Sequence, residues 1–254
     1  MCYDIQAKLD AQLNHLRFKG TQKEIDEIIE KIDRFTKYPV YHTSGFQHPT
    51  LLIYTGKSPH HPTFSTWGLV PHWVKDRDQL KKFWNNTLNA RGETLFEKPS
   101  FRNSAKNHRC LIYVNGFYEH HYFNGRSYPY FIYHKENLPL ALAGLWSKWI
   151  DKETGEIINT FSIVTTVGNS LLEKIHNNPK LKGPRMPVIL EEKSEDLWIS
   201  NDHDNLQSIH ELIRPYPSGK LKAHTVKRIR GKEYMGNVEE VSEHFVYEDM
   251  EDLF

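Results

Sequence analysis

The stretch "RCLIYVNGFYEHHYFNGRSYPYFIYH", residues 109–134, is rich in β-branched and aromatic side chains. This composition predicts strands over residues 109–122 and 128–134. Asn124 and Gly125 separate the two runs, and both residue types tolerate the positive φ that a tight hairpin turn requires. The stretch therefore predicts an antiparallel hairpin and, with it, a fold built around a sheet.

Four further runs in the chain have the same β-rich composition and also predict strands: residues 50–55, 138–146, 159–167 and 185–190. No internal repeat, low-complexity tract or long flexible linker interrupts the chain. The sequence therefore predicts a single α+β domain built around an antiparallel sheet or an open barrel.

The clearest helix is predicted over residues 21–35, where isoleucines and a phenylalanine recur at helical spacing. Thr21 and Glu24 match a capping box at its start. Shorter helices are predicted at 168–176, where Asn169 can cap the first turn, and at 205–213.

The composition indicates a folded protein of the cytoplasm. With 254 residues, 38% of them hydrophobic, the chain can fill a substantial core. No apolar run approaches the roughly 20 residues that span a bilayer, and Asp4 and Lys8 occupy positions where a signal peptide would be apolar. Two cysteines are too few for a disulfide scaffold and are typical of a reducing compartment.

Charge is distributed unevenly although the net charge is only +1. Residues 220–232, "KLKAHTVKRIRGK", are strongly basic, whereas residues 239–254 are acidic. One interpretation is a solvated strand edge followed by a surface tail, and the other is a patch that faces phosphates. We predict a domain over residues 1–235 and an acidic C-terminal tail over 236–254.

Common catalytic and ligand-binding motifs are absent from the sequence. It contains no Cys-x-x-Cys pair, and the adjacent histidines at 60–61 and 120–121 lack the helical spacing of a zinc site. It also lacks a Gly-x-Ser-x-Gly elbow and a phosphate-binding glycine loop. The sequence thus predicts neither a metal centre nor a cofactor.

Of the two cysteines, Cys2 is the more informative about function. Removal of Met1 would expose the amine and the thiol of Cys2 on one residue, forming a 1,2-aminothiol. By contrast, Cys110 lies in a predicted strand and is interpreted as a buried core residue.

Several short segments, taken in order, resemble one family. They are "MCY" at the start, "WGLVPHW" (67–73), "NARGET" (89–94), "RCLIYVNGFYEH" (109–120), "LAGLW" (142–146), "TFSIVTT" (160–166) and "RMPVIL" (185–190). Over about residues 1 to 190, the sequence resembles the SOS response-associated peptidase (SRAP) proteins, which process abasic sites in DNA.

The resemblance implies a β-barrel-like core with peripheral helices and a cleft that receives single-stranded DNA. It implies active-site roles for Cys2, Asn89 and Glu119. The family histidine normally lies just before Arg-Met-Pro, so His176 is its counterpart if an insertion separates it from Arg185.

Three hypotheses about function remain open from the sequence. The first is a monomeric DNA-repair protein without membrane contacts that crosslinks abasic sites in single-stranded DNA through a thiazolidine at Cys2, with self-cleavage to expose that residue. The second is a thiol peptidase that acts on other proteins, with Cys2 as nucleophile and His176 as base. The third is a nucleic-acid-binding module without covalent chemistry.

DNA contacts are expected from cations and aromatic residues near the motifs. Arginines suit phosphate oxygens, and tryptophans suit stacking on unpaired bases. The predicted DNA-binding residues are Trp67, Trp73, Arg91, Arg102 and Arg109.

Overall fold

A computed structural model of the protein describes residues 2–14, 21–35, 39–178, 183–200 and 206–250, with the side chains of residues 32–35 and 60 left out. The strands are β1 (Asp4–Gln6), β2 (Thr43–Ser44), β3 (Thr50–Thr55), β4 (Ser58–Trp67), β5 (Asn89–Arg91), β6 (Arg109–Val114), β7 (Gly116–Phe123), β8 (Arg126–His134), β9 (Leu140–Ile150), β10 (Ile157–Val167), β11 (Arg185–Pro187), β12 (Ile189–Leu190) and β13 (Leu221–Thr225). The helices are α1 (Leu9–Gln12), α2 (Gln22–Phe35), α3 (Arg77–Trp84), α4 (Arg102–Asn107), α5 (Ser170–Ile175), α6 (Glu192–Ile199) and α7 (Leu206–Glu211).

Five strands close into a barrel. Around the ring, β3 pairs with β4, β4 with β10, β10 with β9, β9 with β6, and β6 with β3. All of these pairings are antiparallel except that of β4 with β10. The predicted α+β domain with a barrel-like core is therefore confirmed.

A second, five-stranded antiparallel sheet runs in the order β13–β8–β7–β1–β2. Its longest pairing is the predicted hairpin of β7 and β8. Asn124 and Gly125 form the turn with φ of 46° and 75°, which confirms a connection in which both central residues have positive φ.

The prediction of one continuous strand over residues 109–122 is wrong. The run breaks at Asn115, so that β6 belongs to the barrel and β7 to the second sheet. The Asn115 amide donates to the Gln6 carbonyl, and its side chain accepts from the Lys8 amide. At Gly116 an added Cβ would lie 2.5 Å from the Ile132 carbonyl oxygen, so only glycine fits this corner.

The predicted strand over residues 185–190 is likewise two strands. Val188 separates them because its amide and carbonyl bond to Val164 and Ala143, on two different barrel strands. As a result, β11 pairs with β10 and β12 pairs with β9.

The predicted helices are present with shorter bounds. Thr21 and Glu24 form the reciprocal capping box at the start of α2. Asn169 accepts from the Leu172 amide at the start of α5, as predicted. The predicted helix over 205–213 is observed as α7, and residue 205 lies outside the described residues. No helix in the described part of the chain is long and apolar enough to cross a membrane.

The basic segment and part of the acidic one pack together on the second sheet. β13 is the edge strand beside β8. Beyond it, the Phe245 amide donates to the Thr225 carbonyl, and the Tyr247 hydroxyl donates to the Val226 carbonyl. Val241 is fully buried, so this acidic stretch is held against the sheet.

Candidate active site

Cys2 lies inside the protein, at the junction of the barrel and the second sheet. Its residue is 1% exposed and packs in one apolar cluster with Ile5 and barrel residues such as Ile112. The Asn89 side-chain amide donates to the Cys2 carbonyl at 2.9 Å. The Gly45 amide donates to the Tyr3 carbonyl at 2.8 Å. The start of the chain is therefore fixed from two sides, immediately before β1.

The Cys2 thiol is in its neutral form. Burial raises the pKa of this thiol well above its ordinary value, and the charge of Glu119 raises it further. A thiol must lose its proton before it can act as a nucleophile. Chemistry at Cys2 therefore requires a base within the site.

A carboxylate–imidazole pair lies beside the thiol. Glu119 Oε1, on β7, is 3.0 Å from His176 Nδ1, and both side chains are almost fully buried. Burial by itself would raise the pKa of Glu119, but His176, the positive charge of the chain's amino terminus and the His120 amide together outweigh it, and the pKa is lowered. Glu119 is therefore ionised at neutral pH, and its carboxylate faces Nδ1 of the imidazole.

The backbone around His176 holds the ring in place. The His176 amide donates to the Leu172 carbonyl at 2.7 Å, which ends α5. The next residue, Asn177, accepts from the Tyr122 amide at 2.7 Å and donates to the Tyr122 carbonyl at 2.8 Å. His121 Nδ1 donates to the Ile175 carbonyl at 3.0 Å. The end of α5 is thereby fastened to β7, the strand that carries Glu119.

Three buried polar atoms in the site make no hydrogen bond within the described residues: Asn89 Oδ1 and both ring nitrogens of His176. His176 Nδ1 faces Glu119 Oε1 at 3.0 Å, so Nε2 is the ring nitrogen left for another partner. Buried polar atoms without partners cost free energy unless a ligand or water completes them. Asn89 Oδ1 and His176 Nε2 therefore point to a site that binds a polar group beside Cys2.

A second buried network lies next to the site and was not predicted from the sequence. Asp4, two residues after Cys2, pairs with His42 Nε2 at 3.2 Å and with the Arg230 guanidinium. His42 Nδ1 is hydrogen-bonded to the Tyr234 hydroxyl at 2.7 Å. Burial would raise the pKa of Asp4, but these partners lower it overall, so the carboxylate is ionised. The network anchors β1 and with it the position of Cys2.

Two predicted DNA contacts do not fit the structure. Trp67 is fully buried, donates to the Leu88 carbonyl and stacks on Phe161, so its ring belongs to the core. Arg109 is 2% exposed, and its guanidinium donates to carbonyls at the ends of α4 and α6. It satisfies helix-terminal acceptors that otherwise lack partners. Neither side chain is available to a nucleic acid.

Arg109→Met is expected to lower the free energy of unfolding by about 2 to 3 kcal/mol, because buried carbonyls would lose a charged donor. Urea unfolding measures this effect. Arg102→Met is the matched control on α4, since that arginine is exposed and should change stability by less than about 0.5 kcal/mol. Weaker DNA binding by an Arg109→Met protein of unchanged stability would restore the original prediction.

The other predicted DNA contacts are placed differently. Arg91 is exposed on β5, two residues beyond Asn89, so it lies close to the site. Arg102 is exposed at the start of α4. Trp73 is half-buried and packs edge-on against Phe83, at a ring distance of 5.2 Å. These three remain predictions.

The fold and the site together define a class of β-barrel proteins in which the second residue, a buried cysteine, lies beside a carboxylate–imidazole pair. Residues 5–232 match the family described as SOS response associated peptidase (SRAP). The chain belongs to this family.

Relatives support the assignment in sequence and in structure. The chain is 35% identical to abasic site processing protein YoqW of Bacillus subtilis over 212 residues, covering 81% of this chain and 89% of that protein. It is 30% identical over 169 residues to abasic site processing protein HMCES of Gallus gallus, covering 59% of this chain and 48% of that protein. A crystal structure of a Bacteroides thetaiotaomicron protein matches with a TM-score of 0.82 and 30% identity, covering 96% of this chain and all of the other.

Proposed function

We propose that this protein processes abasic sites in single-stranded DNA by forming a covalent crosslink at Cys2. The observation that carries the proposal is the assembly of Cys2, Asn89, Glu119 and His176 from four separate segments into one buried site. The names of the relatives, abasic site processing proteins, support the same substrate.

The first step forms an imine and requires that Met1 has been removed. An abasic sugar opens to an aldehyde, which the Cys2 amine attacks to give a carbinolamine; loss of one water leaves the imine. A terminal α-amine has a pKa of about 7.7 to 8.0, so a substantial fraction is neutral near pH 7, unlike an ordinary lysine. A terminal amine is therefore the group suited to this reaction.

The second step closes a ring. The Cys2 sulfur adds to the imine carbon, its proton is transferred to the imine nitrogen, and a five-membered thiazolidine results. No atom is lost in this step, so the whole reaction releases one water. Because burial holds the thiol neutral, a base must accept its proton before the sulfur can add.

His176 Nε2 is the acceptor we assign to proton transfer, since it is buried, makes no hydrogen bond in the described part of the chain and is the ring nitrogen that does not face Glu119. Ionised Glu119 fixes the tautomer and stabilises the imidazolium that forms. Asn89 holds the Cys2 carbonyl through its amide group and offers its free oxygen to the terminal amine or to a sugar hydroxyl. The same groups are suited to cleaving the Met1–Cys2 bond, a reaction that the family description as peptidases suggests.

Incubation of the protein beginning at Cys2 with single-stranded DNA that contains one abasic site tests the proposal. We expect a species that migrates more slowly on a denaturing gel and contains both protein and DNA. The undamaged strand should give none, and the same site within a duplex should give less. Binding without any adduct would favour the non-covalent module, and cleavage of peptides without an adduct would favour the thiol peptidase.

A further inference from the structure

A small pocket of about 220 Å³ opens beside β7, next to the strand position that carries Glu119. Its lining includes His120, Tyr122, Arg228 and Arg230. Both arginines come from the basic segment 220–232, for which the sequence left a phosphate-facing role open. The pocket therefore joins basic residues from the end of the domain to the strand that forms the candidate active site.

The two guanidinium groups are held by contacts that leave donors available. Arg230 uses one terminal nitrogen for Asp4, and its other nitrogens make no hydrogen bond to a described residue. Its side chain is 53% exposed. Arg228 donates to the Ser127 carbonyl and lies over the ring of Tyr128 at 5.1 Å. A guanidinium has five donors in a fixed planar arrangement, so each group can still bind an oxyanion.

The charges in the pocket favour an anion. Asp4 is buried and neutralises at most one of the two arginines. Glu233 lies 3.7 Å from Arg228, but 78% of its side chain is exposed, so solvent screens this pair. The remaining positive charge faces a pocket that is partly enclosed by protein, where it is screened less than on an open surface.

Arg91 and the pocket are connected to the Cys2 region through two different strands. Arg91 follows Asn89, which contacts the Cys2 carbonyl, on β5. Arg230 contacts Asp4, two residues from Cys2, on β1. Burial and the charge of Glu119 raise the pKa of the Tyr3 hydroxyl, and the charges of Arg91 and Arg230 both act to lower it, so both arginines lie near the residue between Cys2 and Asp4. A strand whose abasic sugar reaches Cys2 would thus carry phosphates past both arginines.

We propose that Arg230, together with Arg228 and His120, forms a phosphate-binding subsite that holds the DNA backbone on the β1–β7 flank of Cys2. This inference rests on the proposed function, since it describes how the same site would bind the backbone of its DNA substrate. Arg91 binds a different phosphate, on the β5 flank. The two contacts place the abasic sugar between them.

Single-stranded DNA that carries a tetrahydrofuran in place of the abasic sugar measures binding alone, because this analogue has no aldehyde. Arg230→Gln is expected to weaken binding by roughly tenfold or more at low salt. The slope of log affinity against log salt should become shallower by about 0.7, the loss of one phosphate contact on a single strand. Arg91→Gln should give a loss of similar size. Arg214→Gln, at an exposed arginine outside the pocket, is the matched control and should leave the slope unchanged.

Replacing single phosphates by neutral methylphosphonates locates the contact. The parent protein should lose affinity at one phosphate on each side of the analogue. Arg230→Gln should become insensitive to one of these replacements, and Arg91→Gln to the other. Sensitivity retained at both positions in a folded Arg230→Gln protein would overturn the subsite.

Arg230 also neutralises buried Asp4, so the double variant Asp4→Asn with Arg230→Gln separates the two roles. It removes the buried charge together with its partner and keeps a hydrogen-bonding side chain beside His42. Weak binding by the double variant supports the subsite, whereas recovery of parental affinity shows that Arg230 acts only through Asp4. A parent protein that forms an adduct with unmodified abasic DNA while these variants bind normally refutes the subsite alone. A parent that forms no adduct refutes the proposed function.

Discussion

A protein that begins at Cys2 is expected to form an adduct with abasic single-stranded DNA that survives denaturation without a reductant, whereas Cys2→Ser should lose it almost completely. The serine variant keeps the terminal amine and can still form an imine. Its hydroxyl is a poor ring-closing nucleophile, so the imine hydrolyses when the protein unfolds. Borohydride added before denaturation should reduce the imine to a stable amine and recover the adduct of the variant.

Blocking the terminal amine tests whether the nitrogen of the Cys2 aminothiol is also required. Retention of Met1 converts the reactive nitrogen of Cys2 into an amide and should abolish the stable adduct although the thiol remains. Cys110→Ala is the matched control, because Cys110 is the other cysteine of the chain and is fully buried in the barrel. Mass spectrometry of the N-terminal peptide identifies the linkage. A stable adduct formed by the blocked protein, or one attached elsewhere, contradicts the thiazolidine.

Glu119→Gln and His176→Ala are each expected to slow crosslinking by roughly 10²- to 10⁴-fold, the usual contribution of a general acid or base. Binding to the tetrahydrofuran-containing strand should change little, because neither side chain is assigned to phosphate. Single-turnover adduct formation measures the rate. Glu173→Gln and His72→Ala, at exposed positions, are the matched controls and should react at the parental rate.

The two residues are expected to act as a unit. Because Glu119 orients the ring through a 3.0 Å contact, the double variant should be little slower than the slower single variant. Multiplicative losses would show that the two side chains act in independent steps. A parental rate in His176→Ala would assign the proton transfer to another group.

Local signals in the sequence predicted local structure well. The Asn124–Gly125 turn and the Thr21–Glu24 capping box both depend on residues close together in the chain, and both are observed. The break at Asn115 was missed although Asn115–Gly116 is the same dipeptide as the hairpin turn. There it marks a corner between sheets, because Asn115 bonds to Gln6 and Lys8, which are distant in sequence, and Gly116 packs closely against β8.

The candidate site was found through short motifs, and its geometry depends on contacts that motifs do not encode. The resemblance pointed to His176 despite the insertion before Arg185, and the structure brings this histidine to Glu119. Trp67 and Arg109 were misread because an aromatic ring or a guanidinium fits a core or a helix end as well as a nucleic acid. The pairing of Asp4 with Arg230 joins residues at opposite ends of the domain, so a pattern of neighbouring residues could not predict it.

The burial of Cys2 also limits what the residue can react with. A terminal aminothiol on an open surface would condense with any small aldehyde of the cell, and an exposed thiolate would be oxidised to a sulfenic acid. In the chain that carries Met1, Cys2 is 1% exposed and burial raises the pKa of its thiol, so oxidants meet neither an accessible sulfur nor a thiolate before Met1 is removed. The site thereby preserves the reactive group of Cys2 for a substrate such as a DNA strand, which the protein surface can bind while the aldehyde enters the site.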